Sequence, residues 1–324
     1  MQKKYIVAGS GTLLLMLTLL FVTIARSNAY ANPFPQTVWL AQNIGETRET
    51  LGFDTATNAP RFILPKGLRS ADGSAYWSAF RAGGATALHS FDVTTGSIRA
   101  SFALEGDWEL GAVSATGKWL ALERVVSASD SPTLNAPKTT LAIVDASTLK
   151  TTRTFTLDGN FDIDALNVTG SALYLIQHLP SINPDHYEVR KYDLALGQLV
   201  EGRIVDKRNA NEEMAGYPSA QVASPDGTWL FTLYVGMKEG HAFVHALNLQ
   251  QEYAWCIDLP SGDGSHEIQK QYALALAPDG HTIYASNAAL GTLAIADVLN
   301  IGEPRVVSFT PFAKKSDAPM RASV

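Results

Sequence analysis

Cysteine is nearly missing: Cys256 is the single one in 324 residues, so an intrachain disulfide is impossible and a disulfide-stapled extracellular scaffold is excluded. No cysteine follows the N-terminal apolar run, which argues against a lipoprotein anchor. Beyond that run no stretch approaches the roughly eighteen uncharged apolar residues of a membrane span. The phosphate-loop, dinucleotide and G-x-S-x-G patterns are absent, and so is any expectation of a bound cofactor. Helical spacing of apolar residues is scarce as well. Most connections are rich in Gly, Pro, Ser, Asn and Asp, which argues against a parallel α/β fold.

Positive charge is in short supply. The formal charge is −6, and residues 1–31 hold Lys3, Lys4 and Arg26 but no acid, so the remainder carries −9. Nucleic acid and anionic membrane surfaces are therefore poor electrostatic partners.

What is present begins with an export segment. Lys3 and Lys4 precede the twenty-residue apolar run Ile6 to Ala25, and Ala29-Tyr30-Ala31 offers small residues at both key positions of a signal-peptidase site. As a helix the run spans about 30 Å. Residues 1–31 are thus expected to be a cleaved signal peptide, with its apolar centre at Leu13 to Leu20, or a membrane tether through residues 6–25. Either way residues 32–324 are extracytoplasmic, secreted or held on the outer side of the cytoplasmic membrane.

Two short elements then recur. The first is a turn ending in glycine: SADG at Gly73, SATG at Gly117, NVTG at Gly170, SPDG at Gly227 and APDG at Gly280. An apolar β-patterned stretch follows each, and glycine supplies the positive φ that a tight hairpin needs. The second is a strand ending in Asp or Asn at Asp54, Asp92, Asp145, Asp193, Asn248 and Asp297. A short polar side chain there can accept from the backbone two residues on and fix the turn. The second element repeats at a mean of about 49 residues, close to the roughly 40 to 50 of a propeller blade. The fold expected is all-β: a propeller of about six four-stranded blades, with seven as the alternative.

In SPDG with TWLFTLYV, APDG with HTIYASN, and the Asp turns, residues 37–324 resemble the bacterial exported β-propellers with SPDG-type repeats, a group of WD40-like, TolB-like and lactonase-like propellers. That resemblance implies blades but no activity, since the group includes sugar-lactone hydrolases, amine-dehydrogenase heavy chains and non-catalytic scaffolds. No Trp-Asp dipeptide closes a blade.

Chemistry-bearing residues are sparse. His241 and His245 lie four apart in a strand, about 13 Å by strand rise, too far for one metal ion, and read as a surface pair; no metal site is expected. Ser261 to Glu267 reads as a solvated loop, and Cys256 as an inert thiol in WCIDL. Asp162 and Asp164 alternate in FDIDAL at the entry to an inner strand, with no His or Arg partner evident. Three insertions, Val125 to Lys138, His178 to Tyr187 and Val205 to Pro218, fall on one rim, where loops on a rigid scaffold commonly bind. Binding is expected at that rim, near Trp108, Glu109, Asp162, Asp164, Tyr217 and Tyr272. The function expected is a non-catalytic scaffold for a protein or small-molecule ligand. The alternative is a propeller enzyme or redox subunit, lactonase-like or amine-dehydrogenase-like.

Six Asp turns face only five glycine turns, so the first blade, opening with TVWLAQ at Thr37, lacks its inner strand. Residues Pro319 to Val324 place Met320, Ala322 and Val324 on one face and are expected to supply it.

Overall fold

The computed structural model describes residues 37–311 except 45–46, 56, 126–135, 212, 237–240, 262–265 and 301. The chain divides into two units, residues 1–37 and 38–324, and the sheets belong to the second apart from Thr37. The export segment and the proposed closing strand lie outside the described residues. Among the described residues no helix is long and apolar enough to cross a membrane.

Six antiparallel sheets follow one another along the chain, five of four strands and one of three, forming a six-bladed propeller. Blade 1 contains β1 (Thr37–Ile44), β2 (Thr47–Asp54) and β3 (Ala59–Pro65). Blade 2 contains β4 (Leu68–Arg69), β5 (Tyr76–Ala82), β6 (Ala85–Phe91) and β7 (Ile98–Glu105). In blade 3 are β8 (Trp108–Val113), β9 (Trp119–Arg124), β10 (Lys138–Asp145) and β11 (Lys150–Asp158). Blade 4 is built from β12 (Asn160–Leu166), β13 (Ala172–Leu179), β14 (His186–Asp193) and β15 (Gln198–Leu199). Blade 5 holds β16 (Tyr217–Ala223), β17 (Trp229–Val235), β18 (Ala242–Asn248) and β19 (Tyr253–Asp258). After the single-turn helix α1 (His266–Gln269), blade 6 closes the series with β20 (Tyr272–Leu276), β21 (Thr282–Asn287), β22 (Thr292–Asp297) and β23 (Arg305–Ser308).

Blades 2 to 5 are hydrophobic on both faces because a neighbouring blade covers each face. In β17, Leu230 and Tyr234 pack toward blade 4, whereas Trp229, Phe231 and Leu233 pack toward blade 6, the period-2 alternation of a strand. The middle strands β17 and β18 are buried at every position, while the outer strand β11 alternates exposed and half-buried residues. Blades 3 and 4 meet through Leu141, Phe161 and Leu173, blades 2 and 3 through Trp77, Leu88 and Leu120, and blades 1 and 2 through Phe62, Leu64 and Tyr76.

The recurring elements have the local chemistry that the sequence implies. Ser70, Ser114 and Ser224 accept through Oγ from the N–H groups of Ala75, Trp119 and Trp229 at 2.9, 3.0 and 2.8 Å, closing the glycine turns. The Asp-turn carboxylates accept from backbone N–H groups, as Asp92 does from Thr94 and Thr95 at 2.8 and 2.9 Å. Those bonds, chiefly from Thr95 and Thr94, hold the Asp92 carboxyl below its ordinary pKa.

Two expectations from sequence need revision. The Val205 to Pro218 insertion is a strap along the outside of blade 4 rather than a free rim loop. Just ahead of it Ile204 bridges Val189, and within it Met214 bridges Tyr187, both on β14, while Asp206 bridges Ala254 of β19 in the next blade. Ile204 and Met214 are buried in the core between blades 4 and 5. Asp206 accepts from the Cys256 N–H at 2.7 Å and from the Arg208 side chain, and despite the upward push of burial these bonds keep its carboxyl below the ordinary range. His245, for its part, is fully buried in β18 rather than on a surface, because that middle strand is covered on both faces.

Candidate functional site

The inner strands β8, β12 and β16 start at one rim and carry irregular pairing at similar depth, between Leu110 and Ala112, Ile163 and Ala165, and Pro218 and Ala220. Such bulges bend a strand and re-aim its side chains. Gly111 sits at the first, where a Cβ would lie 2.7 Å from Ile163 of blade 4. The missing side chain lets the two inner strands approach.

Between blades 3, 4 and 5 this rim opens into a cavity of about 310 Å³. Its wall combines Glu109, Glu123, Asp162 and Asp164 with His178, Gln221 and the tyrosines Tyr187 and Tyr234. The ends of all three insertions reach it: Val125, His178 with Tyr187, and Gly216 with Pro218.

The acidic groups are strongly coupled to their surroundings. Glu109 and Glu123 stand directly opposite in the β8–β9 ladder, a like-charge pairing that destabilises a sheet. Lys66 Nζ, 2.6 Å from Glu109 Oε1, partly offsets it at the surface. Burial, then the charges of Asp162 and Glu109, push the Glu123 carboxyl up to about 8. Asp162 Oδ2 pairs with His178 Nε2 at 2.8 Å. Asp164 is 6% exposed. Its Oδ1 accepts from Gln221 Nε2 at 3.0 Å, whereas Oδ2 has no partner among the described residues. Burial raises its pKa to about 7, against the Gln221 bond and with the help of Asp162.

Behind the acids is an aromatic wall. The Tyr187 and Tyr234 rings stack at 5.0 Å, and Tyr234 continues onto Phe243 at 5.4 Å. His245 meets the Tyr234 ring edge-on at 6.3 Å with both ring nitrogens unpartnered, and burial holds its pKa down to about 4, so it is neutral.

Of the six residues singled out from sequence, Glu109, Asp162 and Asp164 line the cavity. Trp108 packs in the core between blades 2 and 3, its indole N–H donating to the Glu105 carbonyl at 2.8 Å. Tyr272 is buried between blades 5 and 6 with its hydroxyl on the Pro260 carbonyl at 2.6 Å. Tyr217, 56% exposed, lies between the lining residues Gly216 and Pro218. Sequence reasoning passed over Glu123, His178 and Tyr234. Each sits where an apolar middle strand, WLALER, ALYLIQHL or TWLFTLYV, reaches the rim, and a polar group interrupting such a run was the available signal.

The opposite rim holds a second hollow of about 430 Å³ lined by turn residues. There Lys191 pairs with Glu252, and Asp193 accepts from Ala195 and Leu196 N–H groups to close its own turn. Its charges are already committed.

No family model and no curated protein matches the sequence. The fold does match solved structures. TolB from Acinetobacter baumannii superposes with a TM-score of 0.51 at 13% identity, over 92% of this chain and 70% of that one. An oligogalacturonate lyase from Vibrio parahaemolyticus gives 0.51 at 11%, over 82% and 72%, and Kuenenia stuttgartiensis hydrazine synthase 0.50 at 14%, over 84% and 79%. At such identities the likeness is one of fold.

Proposed function

We propose that this TolB-like β-propeller is an extracytoplasmic binding module whose ligand enters the acid-lined cavity between blades 3, 4 and 5. One observation carries the reading: Asp164, buried in the cavity wall, keeps a carboxylate oxygen without a hydrogen-bond partner. Orphaned buried polar atoms are rare and costly in native folds, and a ligand donor would relieve this one. Export through residues 1–31 gives the site access to ligands outside the cytoplasm. A closed ring, with Pro319 to Val324 completing blade 1, supplies the rigid scaffold.

The test is a small-molecule screen of the full-length chain by protein-observed NMR, repeated with Pro218→Trp. Pro218 is exposed at the cavity mouth, so an indole there obstructs entry without disturbing the core. Ligands should shift cavity resonances in the parent and lose binding at least tenfold in the variant, with an unchanged unfolding midpoint. Hits indifferent to Pro218→Trp would place binding elsewhere and overturn the proposal.

A second reading, a propeller enzyme, draws on one specific feature. Glu123 and Asp164, raised to about 8 and about 7, stand beside the Asp162–His178 pair, and perturbed acids in a cleft are the equipment of general acid-base chemistry. Turnover of a cavity ligand, lost in Glu123→Gln, would favour it.

A further inference from the structure

We infer that the cavity selects a small organic cation, an alkylammonium or guanidinium group, seated between Asp164, Glu123 and the Tyr187–Tyr234 wall. This deepens the binding-module proposal and rests on it. Four carboxyl groups from two blades converge on the cavity, while the cations near it are few or already engaged. Lys66, 63% exposed, is bound to Glu109. Arg124 on β9 lies over the Trp108 ring at 5.9 Å. His178 on β13 is held by Asp162. From blade 5 only neutral groups face the acids: Gln221, Thr232, Tyr234 and, behind it, the buried neutral His245. Among the described residues neither Glu123 nor Asp164 has an ion-pair partner, and Asp164 Oδ2 has no donor at all. The two cationic side chains that line the cavity are thus engaged elsewhere, Arg124 on the Trp108 ring and His178 with Asp162, and no donor reaches Asp164 Oδ2 among the described residues, so a cationic N–H group brings both charge and donor to it.

Geometry also discriminates between cations. Among the described residues no three His, Cys, Asp or Glu side chains converge closely enough to hold a metal ion, so donors spread around a hollow of about 310 Å³ suit a larger ion with several N–H groups. Tyr187 and Tyr234 line the cavity beside the acids and give its wall apolar surface for the carbon skeleton of such an ion.

Binding is therefore linked to protons. With the cavity empty, near neutrality the Glu123 carboxyl, raised to about 8, is largely protonated and that of Asp164, raised to about 7, is about half so; a cation favours their ionised forms, and each carboxyl that ionises releases its proton to solvent. Affinity should rise with pH through the range where they titrate, up to about tenfold per pH unit for each proton released.

Isothermal titration calorimetry of the full-length protein with 1,4-diaminobutane, agmatine and the peptide Gly-Lys-Gly tests this, using 1,4-butanediol and succinate as neutral and anionic matches. Measurements at pH 6.0 and 8.0, in two buffers of different ionisation enthalpy, count the protons released. The cations should bind at least tenfold tighter at pH 8.0 with net proton release, and Asp164→Asn and Glu123→Gln should each weaken them at least tenfold. The diol and succinate should not bind. Preference for the free amines over the peptide assigns a metabolite, and the reverse a basic side chain of a protein partner. Cation binding without proton release, or unaffected by both variants, overturns the inference. Binding of the diol or succinate in an Asp164-dependent manner also overturns it but leaves the binding cavity standing. If none of the five probes binds while the wider screen finds Pro218-sensitive ligands, the cation assignment alone fails.

Discussion

Asp164 links the stability of this propeller to pH. Its folded pKa of about 7 lies above the ordinary 3.8, so the folded state holds the proton more tightly than the unfolded chain. The stability this confers is complete below about pH 4 and is lost as pH rises through about 7. Asp164→Asn removes that dependence and keeps an oxygen to accept from Gln221. Because the new amide N–H groups cost the same at every pH, the stability of the ligand-free variant relative to the parent should rise by a few kcal/mol between pH 4 and pH 8.5, at about 1.4 kcal/mol per unit of pKa shift. Urea titrations at the two pH values measure this, and a variant equally destabilised at both would refute the assignment. Part of the site was legible from the chain alone. Alternation in FDIDAL marks Asp162 and Asp164, and counting the ladder outward from the Gly170 turn brings Gln177 opposite Asp162 with His178 beside it. The bulge after Ile163 shifts that register by one, pairing Asp162 with Ile176, and no local pattern announces a bulge.

At the scale of the element, the glycine turns explain why the repeat can be read at all. Each turn glycine has a positive φ, and several also abut the preceding blade, so two constraints act on one residue. Gly170 has a φ of 70°, and a Cβ there would lie 2.5 Å from Trp119 Nε1 of blade 3. A Cβ on Gly117 would meet Ala75 of blade 2 at 2.5 Å. Gly202, with a φ of 85° and nothing within 4 Å, has the backbone constraint alone. Gly202→Ala should cost about 1 kcal/mol for the left-handed backbone, while Gly170→Ala should cost about 2 to 4 kcal/mol because the indole must also shift. Thermal unfolding of the pair separates the two contributions, and equal losses would show that the turns do not bear on the neighbouring blade. The Val205 to Pro218 strap was harder to read, since its pairing with β14 and β19 comes as isolated bridges at Ile204, Asp206 and Met214. Such bridges leave no periodic trace. Polar residues between them made the segment resemble a loop.

For the whole molecule the outstanding question is how the ring is joined. Five sheets have four strands in chain order, inner to outer, whereas blade 1 has three, and β1 has no neighbour beyond β2 among the described residues. Blade 1 is nonetheless well seated on blade 2: Trp39 of β1, which meets Phe62 of its own blade at 5.2 Å, stacks on Tyr76 at 5.7 Å and lies under the Arg69 guanidinium at 4.7 Å. An inner strand added to β1 would give this sheet the composition of the other five and remove an edge that could otherwise pair with another molecule. Residues 319–324 have the alternation for that role, with Met320, Ala322 and Val324 on one face. Burying Met320 and Val324 is worth roughly 1.5 to 3 kcal/mol each, before any ladder bonds are counted. For a domain of this size about 1 kcal/mol moves the unfolding midpoint by roughly 2 to 4 °C. Deleting residues 319–324 should therefore lower the midpoint by about 5 °C or more, or cause edge-to-edge association visible by light scattering. Met320→Asp, which keeps the chain length but places a charge on the buried face, should reproduce most of the loss, and Arg321→Asp on the other face should not. An unchanged midpoint in both the deletion and Met320→Asp would mean that another segment completes blade 1.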